Sequence, residues 1–348
     1  MTSPSPTGPA ADRLATGKLP IDLLAHLLGA FTPTDPSIVV GPGIGRDAAV
    51  IRLGDRLLVA KSDPITFVSH GAADYLVDVN ANDLACLGAT PRWLLATALF
   101  RDGIGAAEVE AQFADLAAAC RARNIALVGG HSEVMAGLDR TVLVGMLLGE
   151  TDPATFLPPG GAQLGDTVLL TKGISVEGSA LLARELGHRL RSELGSEMVD
   201  QAAGFLVSPG ISIQPEARAV IATGVVHALH DPTEGGLAMA VREIAAASGH
   251  GVRLVRAAVP VLPETRAIAE VLGLDPLGML ASGSLLIACA PADKRRVMDA
   301  CAEIGVPVAR IGEVIPEGFV LVDHDGEREL PAFQTDEVSR ALVAARDR

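Results

Sequence analysis

Hydrophobic residues recur along this chain in two rhythms, every second residue and every third to fourth, and the switching between them predicts a mixed α/β protein. Residues 48–53 and 56–60 alternate as two strands joined at Gly54-Asp55, a hairpin signal. Residues 93–100, 125–128 and 141–148 read as further apolar strands, and 105–123 as a helix with Val109, Phe113, Leu116 and Cys120 on one face. A short helix is expected over 21–31. In the second half, strands are predicted at 167–171, 225–229, 284–289 and 319–322, with helices at 176–186 and 237–247 and an extended-then-helical stretch at 211–223. Neighbouring strands linked both by hairpins and by crossovers fit an α/β (α+β) fold with mixed sheets.

The Pro-, Ser- and Thr-rich residues 1–20 are expected to be disordered. An N-terminal domain over 21–152 and a C-terminal domain over 165–330 are separated by a Pro- and Gly-rich linker within 150–165.

The stretch from Asp74 to Pro91, DYLVDVNANDLACLGATP, breaks the plain packing pattern. Wound as a helix, Val77, Ala81, Leu84 and Gly88 form an apolar stripe, and Asp78, Asn82 and Asp83 share the opposite arc. Asp and Asn are mediocre helix formers, so either a solvated face or a binding role must account for them. Asp47, Asp63 and Asp231 stand at the edges of apolar runs or in glycine-rich turns, with Asp63 expected where a strand ends after Lys61. Hard oxygen ligands gathered from distant parts of a chain are what Mg²⁺ on a nucleotide phosphate requires.

The composition changes the picture mainly by exclusion. A formal charge of -14 over 348 residues argues against nucleic acid or an anionic membrane surface as partner. Cys86, Cys120, Cys289 and Cys301 form no C-x-x-C pair and read as reduced core residues, which suggests a cytoplasmic protein. No apolar run is long enough to span a bilayer, and the N-terminus lacks a basic region followed by a hydrophobic one.

Candidate phosphate chemistry sits in two glycine turns, Gly129-Gly130-His131-Ser132-Glu133 and Asp231-Pro232-Thr233-Glu234-Gly235-Gly236. In each, a strand is expected to end and the glycines to let backbone N–H groups approach a ligand; a tight structural connection is the alternative. Lys172, after a strand ending at Thr171, is a candidate phosphate contact, and His131 could bond a nucleotide or the reacting group. The segment 37–45 fails as a dinucleotide fingerprint because Arg46 stands where the last glycine should fall, and no P-loop motif occurs.

In family order, Asp47-Ala48-Ala49-Val50, Ser62-Asp63, Asn82-Asp83-Leu84-Ala85, Gly129-Gly130-His131-Ser132-Glu133, Leu169-Leu170-Thr171-Lys172-Gly173 and the segment from His230 to Leu237 resemble the AIR synthetase (PurM-like) superfamily, nearest its HypE-like, AIR-synthase-related group. The resemblance implies a two-domain fold whose N-terminal domain forms a dimeric β-barrel and whose C-terminal domain is an α/β sandwich, with ATP held between subunits and domains. It implies Mg²⁺ on Asp47, Asp63, Asp83 and Asp231, and catalytic roles for Asp83, His131 and Glu133. Asn82, Gly129, Gly130, Ser132, Thr171, Lys172, Glu234, Gly235 and Gly236 would lie at the nucleotide. The implied activity is transfer of the ATP γ-phosphoryl to an oxygen of a small-molecule or carboxamide substrate; the alternatives are a non-catalytic nucleotide-binding accessory protein and a HypE-like hydrogenase maturation factor. Two departures stand out: His131 replaces the usual Asp, and the sequence ends Ala344-Ala345-Arg346-Asp347-Arg348 without the cysteine tail of HypE.

Overall fold

The computed structural model describes Leu14 and residues 19–31, 33–65 and 71–346. The expected disorder over 1–20 falls almost entirely outside these residues. A six-stranded sheet in the order β1-β2-β3-β6-β4-β5 organises the first half. Its strands are β1 (Ile38–Val40), β2 (Ala49–Leu53), β3 (Arg56–Ile65), β4 (Thr90–Arg101), β5 (Ala126–Met135) and β6 (Val142–Thr151). All neighbours are antiparallel except β4 and β5. After α1 (Ile21–Gly29), the helices α2 (Ala72–Cys86) and α3 (Ala106–Ala122) cover one face of this sheet, and α3 supplies the crossover that the parallel pair needs. The core beneath them holds Val50, Leu57, Val59, Leu76, Leu84, Leu94, Leu116 and Leu147.

A seven-stranded sheet in the order β13-β12-β9-β11-β7-β10-β8 organises the second half. It comprises β7 (Thr167–Thr171), β8 (Val226–His230), β9 (Gly251–Val255), β10 (Leu286–Cys289), β11 (Val308–Ile315), β12 (Phe319–Asp323) and β13 (Gly326–Glu329). Its helices are α4 (Val176–Glu185), α5 (Gly187–Leu194), α6 (Ser196–Ala203), α7 (Gln214–Ala222), α8 (Gly236–Ala247), α9 (Pro263–Leu272), α10 (Lys294–Glu303) and α11 (Glu337–Arg346). Strand alternation splits the core: Val168 and Leu170 pack with Leu237, Val241 and Ile244 of α8, while Leu169 packs on the other side with Ala217, Val220 and Val297. Helices thus cover both faces. A further cluster joins α4, α5, α6, α9 and Val338 of α11.

Two sequence expectations need correction. The strand expected to end before Asp63 continues to Ile65, and Asp63 pairs with Gly145 of β6 inside the ladder. The segment 129–133 is not a turn but the middle of β5. Gly130 has φ +148°, and a Cβ there would stand 1.8 Å from the Ala96 carbonyl oxygen, so its lack of a side chain serves the close approach of β4. Of the two readings left open for the polar arc of α2, the solvated face is removed: Asp78, Asn80, Asn82 and Asp83 are all buried.

Candidate active site

The site grows from β3 and α2. Strand alternation sends Leu57, Val59, Lys61 and Asp63 to the face that α2 covers, where Leu57 and Val59 become core and the two charged residues meet the polar arc. The Asp63 backbone N–H donates to Asn80 Oδ1 at 3.0 Å, and Asn80 Nδ2 donates to the Leu76 carbonyl at 2.8 Å, which fixes the helix against the strand. Lys61 Nζ then lies 2.8 Å from Asp83 Oδ2 and 3.2 Å from Asp63 Oδ2.

The second half contributes from the end of β8. His230 Nδ1 is 3.4 Å from Asp47 Oδ2, and Nε2 is 2.9 Å from Glu243 Oε2 on α8. Gly45, at φ +68°, lets the loop before β2 lie against the Glu243 carbonyl and Ala247 of α8, which carries Asp47 to the imidazole. Asp231 is 2% exposed, its Oδ1 is 3.7 Å from Cys86 Sγ, and its Oδ2 is buried without a hydrogen-bond partner. A cavity of about 30 Å³, lined by Asp47, Asp83, Cys86, His230 and Glu243, lies between the two halves.

Electrostatics tie these groups into one unit. Burial pushes the Asp83 carboxyl well above its usual range; Lys61 opposes that, while Asp231, Asp47 and Asp63 reinforce it. Asp231 rises to about 6, chiefly through burial, with His230 opposing and Asp47 reinforcing. Burial alone would lower the His230 pKa, but Glu243 and Asp47 outweigh it and raise the imidazole to about 9. Burial would likewise lower Lys61, yet Asp83, Asp63 and Asp47 hold it charged. Cys86 stays a thiol: burial and then Asp231 and Asp83 push its pKa well up, so it is no nucleophile here.

Carboxylates of this kind suit a hard cation, and the orphaned Asp231 oxygen is the sort of acceptor a metal satisfies. Among the described residues, however, no three His, Cys, Asp or Glu side chains converge closely enough to enclose a metal by themselves. Oxygens from a phosphate ligand would have to complete the shell, which is the usual arrangement for Mg²⁺.

The structure thus brings together Asp47, Asp63, Asp83 and Asp231. It does not bring His131 and Glu133 to them within one chain. Asp63, Gly145, Ala96 and Gly130 lie in one register row, so His131 is three strands away, about 14 Å. His131 and Glu133 register with Thr97 and Leu99, on the face opposite α2, where His131 Nε2 sits 3.3 Å from Glu133 Oε2. Gly129 and Ser132 are exposed on the same strand. Asn82 is committed to the chain: Nδ2 donates to the Ile211 carbonyl at 2.9 Å and Oδ1 accepts from the Ile213 N–H at 3.0 Å. Thr171 Oγ1 accepts from the Leu285 N–H, and Lys172 Nζ holds Glu216 Oε1 and the Ser212 carbonyl, both at 2.8 Å. Gly235 and Gly236 open α8, where the Gly235 N–H donates to Asp336 Oδ2 at 2.8 Å beside Glu234. The sequence reading missed Lys61, His230 and Glu243 as site residues. The i, i+2 spacing of Lys61 and Asp63 on a strand was the available signal for the first.

Comparison with known proteins bears on this site. Residues 45–151 match the family profile "AIR synthase related protein, N-terminal domain", and residues 163–324 match "AIR synthase related protein, C-terminal domain". The carbamoyl dehydratase HypE of Cupriavidus necator is 32% identical over 284 residues, covering 79% of this chain and 78% of that protein. The crystal structure of Escherichia coli HypE, a hydrogenase maturation protein, superposes with a TM-score of 0.70 at 25% identity over 92% of this chain and 99% of that one. A structure of HypE in complex with ATP superposes with a TM-score of 0.69 at 22% identity, over 90% and 91% of the two chains.

Proposed function

The chain belongs to the AIR synthase related family, and from that membership and the carboxylate site we propose that it is an ATP-dependent enzyme that transfers the γ-phosphoryl group to an oxygen of a small-molecule or carboxamide acceptor. The observation that carries this reading is the convergence of Asp47, Asp63, Asp83 and Asp231, drawn from four separate segments, around Lys61 and His230. Phosphoryl transfer asks the protein for positioning and charge compensation rather than a covalent nucleophile, and this site offers that. A bound Mg²⁺ would supply further neutralisation of the phosphate oxygens, held by Asp47, Asp83 and Asp231, with Asp63 tied in through Lys61.

The chain's own groups have separable tasks. His230, charged up to about pH 9, holds Asp47 in place from the C-terminal half. Lys61 opposes, without cancelling, the burial that favours the protonated form of Asp83. The carbamoyl dehydratases among its relatives make a carboxamide oxygen a reasonable acceptor class.

The site also argues for a second copy. Exposed β5 carries Leu127, Val128, Val134 and Met135 along an unpaired sheet edge, and His131 and Glu133 point away from the acidic cluster of their own chain. In a homodimer built on this strand, one chain's His131 and Glu133 would serve its partner's cluster.

The direct test is ADP formation by the purified protein with Mg²⁺, ATP and a panel of carboxamide and carboxylate acceptors. Asp231→Asn removes a charge that the fold does not need and should lower turnover by about a hundredfold or more. Wild-type turnover in that variant would remove Asp231 from the reaction and with it the site.

A further inference from the structure

One group in this site has a task the transfer chemistry does not assign. Lys61 Nζ stands between Asp83 Oδ2 at 2.8 Å and Asp63 Oδ2 at 3.2 Å, with 13% of its side chain exposed. Two carboxylates converging on one buried positive centre are the makings of a cation site, except that here the cation is part of the chain. It is also anchored: Lys61 lies within the β3 ladder, opposite Leu147 of β6, and the Asp63 backbone is pinned to Asn80 on α2. A buried ammonium is tolerated only when paired, so Lys61 is committed to both acids.

Beyond Asp83, on the side away from Lys61's partner Asp63, lies the cavity of about 30 Å³ bounded by Asp47, Asp83, His230 and Glu243. That is room for about one water-sized occupant. Nearby, the buried Asp231 Oδ2 lacks a partner. The cluster is therefore asymmetric, with one half filled by a lysine and one half open.

We infer that Lys61 is a built-in cation that takes the place of a divalent ion between Asp63 and Asp83, so that the site accepts metal only on its Asp47–Asp231 side. The inference rests on the ATP-dependent reading for its purpose, but the lysine's geometry does not. Its consequence is a site that binds one divalent ion fewer than its carboxylates could hold. It also makes Lys61 a fixed positive charge beside the phosphates, present before nucleotide or metal arrives.

The probe is Mn²⁺, titrated into the full-length protein saturated with the non-hydrolysable analogue AMPPCP, whose phosphate oxygens complete the shell, with free ion read by electron paramagnetic resonance. Lys61→Gln should bind one Mn²⁺ more per chain than wild type, or bind it about tenfold tighter, because two carboxylates are released to it. Lys61→Arg should behave as wild type. Equal Mn²⁺ uptake in wild type and Lys61→Gln would overturn the inference. Should Lys61→Gln fail to fold, Asp63→Asn decides. Its Mn²⁺ affinity should stay within about twofold of wild type if Lys61 is the partner of Asp63, and a loss of about tenfold would show that metal was. Absence of ADP formation from every acceptor would count against phosphoryl transfer alone, since the Mn²⁺ comparison needs no turnover.

Discussion

Glu177 shows how one residue sets a property of the whole chain. It lies in the first turn of α4, 7% exposed, with Oε2 lacking a hydrogen-bond partner. Burial raises its pKa from 4.5 to about 7; a hydrogen bond from Ser282 opposes this and the charge of Asp336 adds to it. Between those two values the folded chain holds a proton that the unfolded chain has released, so stability falls as pH rises through about 4.5 to 7 and is level above. At about 1.4 kcal/mol per unit the loss is about 3 kcal/mol. Glu177→Gln should therefore stabilise the protein by about 2–3 kcal/mol at pH 8 and leave it unchanged at pH 4, as read by urea unfolding at each pH. An equal change at both pH values would mean that the carboxyl's charge is not the cause. Nothing in Ser175-Val176-Glu177-Gly178-Ser179 announced this, because a glutamate opening a helix is the ordinary pattern for an exposed first turn. The aspartates were legible because each interrupts an apolar context. Lys61 was not, since a lysine closing a strand is normally solvated.

At the scale of the element, α2 is where sequence and structure both agree and part. Its helical period and its polar arc were legible from residues 74–91. The partners of that arc were not, because they lie far along the chain: Arg123 takes Asp78 through Nε at 2.6 Å, Ile211 and Ile213 take Asn82, and Lys61 takes Asp83. Local pattern can show that a polar residue is out of place but not which distant group answers it. The same blindness made the glycines of β5 look like a turn, since what demands a glycine at 130 is the Ala96 carbonyl on another strand. Asn82→Ala leaves a buried N–H and a buried carbonyl unanswered, and should cost about 2–6 kcal/mol at about 1–3 kcal/mol for each orphaned group. Asn82→Asp retains the acceptor for the Ile213 N–H and loses only the donor. Thermal unfolding of the two variants separates these cases, and equal losses would show that the amide's acceptor oxygen contributes nothing.

For the whole molecule, the mixed α/β class and the positions of most strands followed from alternation, and the family profiles cover both halves. The second sheet was only partly foreseen: β9, β11 and β13 are short or flanked by charged residues, and their place is set by their neighbours. Self-association through β5 is a prediction at this scale. Charges on an edge strand oppose pairing, so Val128→Lys with Val134→Lys should convert a dimer to a monomer in sedimentation velocity and weaken ATP binding with it. A monomeric wild type would refute the arrangement. A last consequence follows from α2 itself, which packs Leu76 and Leu84 into the core of the first half and Ala85 and Cys86 into that of the second. Two lobes threaded on one shared rod have no axis about which to swing apart. With the lobes so held, the glycine loop at 41–45, which reaches the cavity at Gly45, is the segment whose movement is expected to admit a ligand, rather than an opening of the whole body.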